Sequence, residues 1–186
     1  MHTNREMPLR MTQTDRLLPV DDAIARLKRQ IRESMDRGEL HDPLVVGIHT
    51  GGVWVAESLH RALECHEPLG RLNITFYRDD FNTLGLHPQV SPSNLPVKVD
   101  GRDIVLVDDV LFTGRTVRAA MNELFDYGRP SRIRLAVLYQ RNGRELPVCA
   151  DWVGQEPVLA EGEHIRVEGP DPVTAEIVTR REAQEH

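Results

Sequence analysis

Long apolar runs are missing from this chain. No stretch approaches the roughly 18 apolar residues that a membrane-spanning helix needs. The opening MHTNREMPLRMTQTD carries charges with no apolar stretch behind them, which is not the pattern of a signal peptide. Cysteine is scarce: Cys65 and Cys149 sit far apart with no metal-ligand spacing. That argues against a disulfide framework and points to free thiols in a cytoplasmic protein. Basic charge is not in excess either. The net charge of −6 argues against a general nucleic-acid binder, because phosphate neutralisation drives that affinity; a local basic patch remains open. No internal repeat or long linker divides the 186 residues. A flexible arm over residues 1–18, one domain over 19–181 and a frayed tail over 182–186 are therefore expected.

Hydrophobic residues make up 40% and charged residues 28%, enough for a core without disulfides. Ile24, Leu27, Ile31 and Met35 recur at three- and four-residue steps between Asp21 and Arg37, with Asp21 or Asp22 at the start and Gly38 after the end. This spacing predicts an amphipathic helix. LVVGI over 44–48 reads as a buried strand, Val53 to Leu63 as a helix, and LNITFY over 72–77 as a second strand. The pattern then vanishes from Arg78 to Pro96, a stretch with three prolines; so long a patternless segment inside a domain suggests a functional lid. DIVLV over 103–107 is the next buried strand, Gly114 to Tyr127 a helix closed by Gly128 and Pro130, and Ile133 to Tyr139 another strand. Short strands are expected at Val148 to Val153 and His164 to Val167, and a short last helix at Val173 to Arg181. Strands alternating with helices predict a parallel α/β sheet.

Two turns stand out for chemistry. Asp108-Asp109 follows an apolar strand, at the end where open α/β sheets bind ligands. Adjacent carboxylates repel unless something compensates them, and two sugar hydroxyls or a hydrated magnesium ion would do so. Thr113, Gly114, Arg115 and Thr116 then lead into a helix, whose N-terminal amides suit a phosphate. The plain alternative for each part is a helix-capping turn; the two in succession are much rarer.

VLVDDVLFTGRTV resembles the phosphoribosyl-pyrophosphate signature of the type I phosphoribosyltransferases. The resemblance implies that family's fold: a parallel sheet core flanked by helices, with a flexible loop and a small hood region. It implies that Asp108 and Asp109 hold the ribose and, indirectly, its bound magnesium. It assigns Val110, Leu111, Phe112, Thr113, Gly114, Arg115 and Thr116 to the sugar phosphate. It makes Thr50, Gly51 and Gly52, after His49, the pyrophosphate loop; relatives often carry a basic residue at position 51. The segment opened by Arg78-Asp79-Asp80 becomes a loop that closes over the reacting centre, with Arg78 stabilising the departing pyrophosphate beside the catalytic Asp108 and Asp109.

Longer pieces, GIHTGGVWVAESL, ITFYRDD, VLVDDVLFTGRTVRAAMNEL, GRPSRIRLAVL and RNGRELPVCADWVG, resemble one branch of that family. Its members regulate pyrimidine genes and act as uracil phosphoribosyltransferases. The resemblance implies uracil and phosphoribosyl pyrophosphate as substrates, UMP or UTP as signal, a pyrimidine-operon leader mRNA as partner, and a homodimer or homotetramer. Purine transferases of this class usually place an Asp where Phe112 stands, and a phenyl ring cannot exchange that proton, which favours uracil. Trp152 is the candidate to stack on the base, Val153 to read its edge through the main chain, and Gln140 or Arg141 to donate to a uracil carbonyl. His49 and His87 are expected in loop or solvent roles rather than as general bases. For RNA, Arg10, Arg16, Arg26, Lys28, Arg29, Arg129, Arg132, Arg134, Arg141 and Arg144 are available, although scattered arginines usually form a solvated face. Two alternatives stand beside this reading: an attenuator that uses the site only as a sensor, and a purine phosphoribosyltransferase.

Overall fold

The structure, a computed structural model, describes residues 16–74 and 92–179. Its element order is α1 (Val20–Asp36), β1 (Leu44–Ile48), α2 (Gly51–Leu63), β2 (Gly70–Leu72), β3 (Asp103–Leu111), α3 (Arg115–Tyr127), β4 (Arg132–Gln140), β5 (Trp152–Gln155), β6 (Glu163–Glu168) and β7 (Thr174–Thr179). β1 to β5 form one sheet in the order β2-β1-β3-β4-β5, parallel at every pairing. β6 and β7 pair antiparallel as a separate hairpin. This is the expected type I phosphoribosyltransferase architecture.

The strands read as continuous apolar runs because both sheet faces are covered. Val45, Val105, Val107, Ala136 and Leu138 point to one face, where Leu27, Ile31, Val55 and Leu59 of α1 and α2 pack on them. Their neighbours Val46, Ile104, Leu106, Leu135 and Val137 point to the other face, under Val117, Ala120 and Leu124 of α3. The period of two along each strand thus assigns each helix to its layer. α1 starts from Pro19 without a side-chain cap; Asp21 and Asp22 lie in its first turn, where their charge favours the helix dipole.

Several expectations need correction. The last segment is strand, not helix: Val173 to Thr179 alternates, with β-branched Thr174, Ile177, Val178 and Thr179, and β7 pairs with β6 from Glu163↔Thr179 to Glu168↔Thr174. The strand expected over Val148 to Val153 begins only at Trp152. β2 is three residues long, and residues 75–91 lie outside the described residues. The tail of the expected lid is fixed, since Asn94 exchanges two backbone hydrogen bonds with Arg71, at 2.7 and 2.8 Å. The arm also ends earlier than expected. Leu17 is buried in the core, and the Leu18 carbonyl accepts the Tyr139 hydroxyl at 2.7 Å. Residues 1–15 and 180–186, which hold the rest of the arm and the tail, lie outside the described residues. Among the described residues no helix is long and apolar enough to cross a membrane.

Arg16 fastens this N-terminal segment to the hairpin. Its guanidinium donates twice to the Glu163 carboxylate, at 2.9 and 2.8 Å, and the Ala160 amide donates to the same carboxylate at 2.6 Å. The Arg16 bonds, then the Ala160 amide, hold the Glu163 carboxyl well below its usual value, at about 2. A lowered folded-state pKa stabilises the fold fully above the unfolded value near 4.5, and this contribution disappears as pH falls from there toward about 2. The stability gap between the wild type and Glu163→Gln, followed by chemical denaturation, should therefore stay constant above pH ~5 and close on acidification through that window.

Candidate functional site

The carboxyl ends of β1 and β3 carry the two turns singled out by sequence, and each leads directly into a helix, α2 at Gly51 and α3 at Arg115. Two helix N-termini thus lie at one sheet edge, the arrangement that binds anions. The turns touch. A β-carbon at Gly51 would lie 2.0 Å from Asp109 Oδ2, and one at Gly52 would lie 2.7 Å from the Val107 carbonyl oxygen and 3.0 Å from Asp108 Cα. Glycine at both positions lets the first turn reach the acidic pair.

Asp108 and Asp109 are not on a turn, as their sequence suggested. β3 runs on through them to Leu111, with Asp108 opposite Val137 and Leu111 opposite Gln140. Asp108 is buried and Asp109 half-buried. Asp108 Oδ1 accepts the Asp109 amide at 3.0 Å, and Asp109 Oδ1 accepts the Val110 amide at 2.9 Å. These bonds hold each carboxylate by its own backbone, at the strand end and beside the first turn. Among the described residues no three His, Cys, Asp or Glu side chains group to cage a metal.

The second turn is held from outside. Gly114 caps α3 in the left-handed region, at φ 90°. The Thr113 carbonyl accepts the amides of Glu145 and Leu146, both at 3.0 Å, and Thr113 Oγ1 accepts the Arg115 amide at 3.3 Å. The Arg115 guanidinium reaches Glu145 Oε2 at 2.5 Å. The segment 141–148 therefore clasps the turn. Sequence reading passes over this clasp, because the ELP run in it carries no motif of its own. At its start, the Arg141 guanidinium lies over the Phe112 ring, 4.0 Å from the centroid. Gln140 is half-buried at the end of β4.

Two base-contact expectations fail on geometry. Trp152 is core: only 4% exposed, it packs in the α1 layer and donates from Nε1 to Ser34 Oγ at 3.3 Å. The Val153 carbonyl is taken by Gln30 of α1 at 3.1 Å. Both residues pair with the middle of β4, at Ala136 and Val137, below the edge where Gln140 and Leu111 sit. Arg78, the lid after it and His87 lie outside the described residues. Burial, assisted by the Arg71 guanidinium, lowers the His49 pKa.

Most of the basic residues considered for RNA already have protein partners. Arg16 holds Glu163, Arg26 the Gly154 carbonyl, Arg132 Asp103, and Arg144 the Val148 carbonyl. Arg134 lies near Glu39 and Asp151, and Arg129 over Phe125. Lys28 and Arg29 are exposed on α1. Arg10 lies outside the described residues.

Comparison with known proteins agrees with this geometry. A phosphoribosyl transferase domain profile matches residues 13–168. The bifunctional protein PyrR of Nitrosococcus oceani is 53% identical over 84% of this chain and 89% of its own length. The bifunctional protein PyrR of Pseudomonas aeruginosa is 51% identical over 83% of this chain and 91% of its own. The crystal structure of a hypoxanthine-guanine phosphoribosyltransferase from Bacillus anthracis superposes with a TM-score of 0.61 at 18% identity, over 80% of this chain and 85% of that one; at that identity the likeness carries the fold alone.

The contact between the first turn and β3 makes a prediction. Gly52→Ala sets a β-carbon against fixed backbone, so the first turn must retreat from the acidic pair. Calorimetric affinity for pyrophosphate with magnesium should fall about tenfold or more, and an unchanged affinity would mean that the turn does not bind it.

Proposed function

The chain belongs to the phosphoribosyltransferase family, within its PyrR group, and from that premise we propose that it is a uracil phosphoribosyltransferase that joins uracil to phosphoribosyl pyrophosphate to give UMP and pyrophosphate. The observation that supports this reading is the contact of the Gly51-Gly52 turn, at the start of α2, with Asp109, near the end of the strand that leads into α3. A ribose bearing phosphate at one end and diphosphate at the other needs that spacing of donors and acceptors. Asp108 and Asp109 accept from the ribose hydroxyls. Val110 to Thr116 receives the 5-phosphate, and Thr50, Gly51 and Gly52 receive the diphosphate.

Uracil N1 forms a bond to ribose C1 as the C1–oxygen bond to pyrophosphate breaks. The bonding electrons leave with pyrophosphate, and N1 loses its proton to solvent. The chain supplies orientation and fixed dipoles directed at the leaving charge, with no covalent intermediate. Two adjacent carboxylates suit a magnesium ion that arrives on substrate oxygens. When bound, it neutralises diphosphate charge. Arg78 is placed by its motif to assist that departure.

Phe112 supports the pyrimidine over a purine, since no carboxylate stands there to meet an imidazole nitrogen. The relatives near half identity are PyrR proteins, whereas the purine-type structures share the fold. The second function is regulation: a uridine nucleotide, UMP or UTP, occupies the same cleft and tunes binding of a pyrimidine-operon leader mRNA. We assign the chain to the cytoplasm, as a homodimer or homotetramer of one domain per subunit.

Incubation with labelled uracil, phosphoribosyl pyrophosphate and magnesium should yield UMP; absence of UMP would refute the enzyme. Asp109→Asn should cut turnover by about 10²-fold or more. For the regulator, UMP should tighten binding to leader RNA at physiological salt, and affinity no greater than for unrelated RNA would leave catalysis alone.

A further inference from the structure

The start of α2 is pressed from two sides. On its inner side there is no room. A β-carbon at Gly47 of β1 would lie 2.7 Å from Val53 Cα and 3.0 Å from the Gly52 carbonyl oxygen, and one at Gly52 would lie 2.7 Å from the Val107 carbonyl oxygen. On its outer side stands Trp54, half-buried and in the same first turn of the helix as Gly51 and Gly52. The backbone of Gly169, just past the end of β6, lies against the benzene half of that indole. A β-carbon there would lie 2.8 Å from both Cδ2 and Cε3 and 3.3 Å from Cζ3. Only a residue without a side chain lets the hairpin turn come so close.

The hairpin behind that turn is anchored. Ile165 and Ile177 are buried in the same core layer as Val55 and Leu59 of α2, and β6 pairs with β7 from Glu163↔Thr179 to Glu168↔Thr174. Arg16 ties the far end of the hairpin to the N-terminal segment through Glu163. The next residues of the turn, Pro170 and Asp171, line an open cavity with Glu57, His60 and Arg61 of α2. The turn therefore meets α2 near its start, through the indole, and stands off further along.

We propose that Trp54 is a positioning residue for the diphosphate: a wedge between α2 and Gly169 that keeps the Gly51-Gly52 turn seated against Asp109. This rests on the diphosphate reading of that turn. One helical turn links positions 51, 52 and 54 rigidly, so whatever stops the indole from moving outward also fixes the anion-binding amides. The acids and the phosphate turn do not share this support. Asp108 and Asp109 lie within β3, and the Thr113 carbonyl is held by the amides of Glu145 and Leu146. Loss of the wedge therefore weakens one anion site and spares the other.

The test compares calorimetric affinities for pyrophosphate with magnesium and for ribose 5-phosphate. Trp54→Ala should weaken pyrophosphate binding about tenfold or more and leave ribose 5-phosphate binding unchanged. Trp54→Tyr, which keeps a flat ring against Gly169, should bind pyrophosphate as the wild type does. Gly169→Val, a change in the exposed hairpin turn, should reproduce the selective loss, because its side chain has no room beside the indole; it decides the matter if Trp54→Ala does not fold. Unchanged pyrophosphate affinity in these variants, equal losses for both ligands, or a Trp54→Tyr as weak as Trp54→Ala would overturn the wedge. A wild type that does not bind pyrophosphate defeats the diphosphate reading itself, and the wedge with it, whereas a wild type that binds it beside unaffected variants defeats the wedge alone.

Discussion

Asp109 Oδ2 lies 2.0 Å from where a β-carbon at position 51 would stand, so the first anion turn and the acidic pair occupy one shared space. The rest of the site depends on that contact. On the proposed reading a compact diphosphorylated sugar sets its diphosphate on one helix N-terminus and its hydroxyls on the carboxylates. With a side chain at 51 or 52 the first turn and the acidic pair would part, and the two could not serve the same ligand. A basic side chain at position 51 would require the Asp109 carboxylate to sit elsewhere. In this chain the loop's charge comes from backbone amides and the helix dipole rather than from a cation.

The sheet makes that contact possible. Its strands are buried on both faces, which fixes their register. β3 carries the acids inside the ladder rather than on a free turn, with Asp108 paired opposite Val137. Strand hydrogen bonding therefore fixes where both carboxylates stand before any ligand arrives, a preorganisation that a mobile turn would lack. The 141–148 clasp does the same for the phosphate turn, through two amides on the Thr113 carbonyl and the Arg115–Glu145 pair.

Much of this is legible in the sequence. LVVGI and DIVLV read as strands because burial on both faces leaves them apolar throughout, and the signature after them resembles a known site closely enough to place both turns. The illegible parts depend on tertiary neighbours. Trp152 reads as a stacking residue in its local motif, but α1 covers its face and Ser34 takes its indole N–H; no local pattern reveals which layer covers β5. The second strand of the β6–β7 hairpin reads as a helix because the stretch is short and polar, and its partner strand lies across a turn with two prolines, Pro170 and Pro172. Arg141 is a candidate for the base from its place at the end of β4, whereas its stack on Phe112 shows only in the structure.

On the proposed reading a strand-held acidic pair, two helix N-termini and Arg141 divide the parts of one nucleotide among them. A crystal structure with UMP bound tests this most directly. Ribose hydroxyls should lie on Asp108 and Asp109, the phosphate on the amides of Thr113 to Thr116, and the base against Arg141. A phosphate bound away from the start of α3, or ribose hydroxyls that touch neither carboxylate, would contradict it.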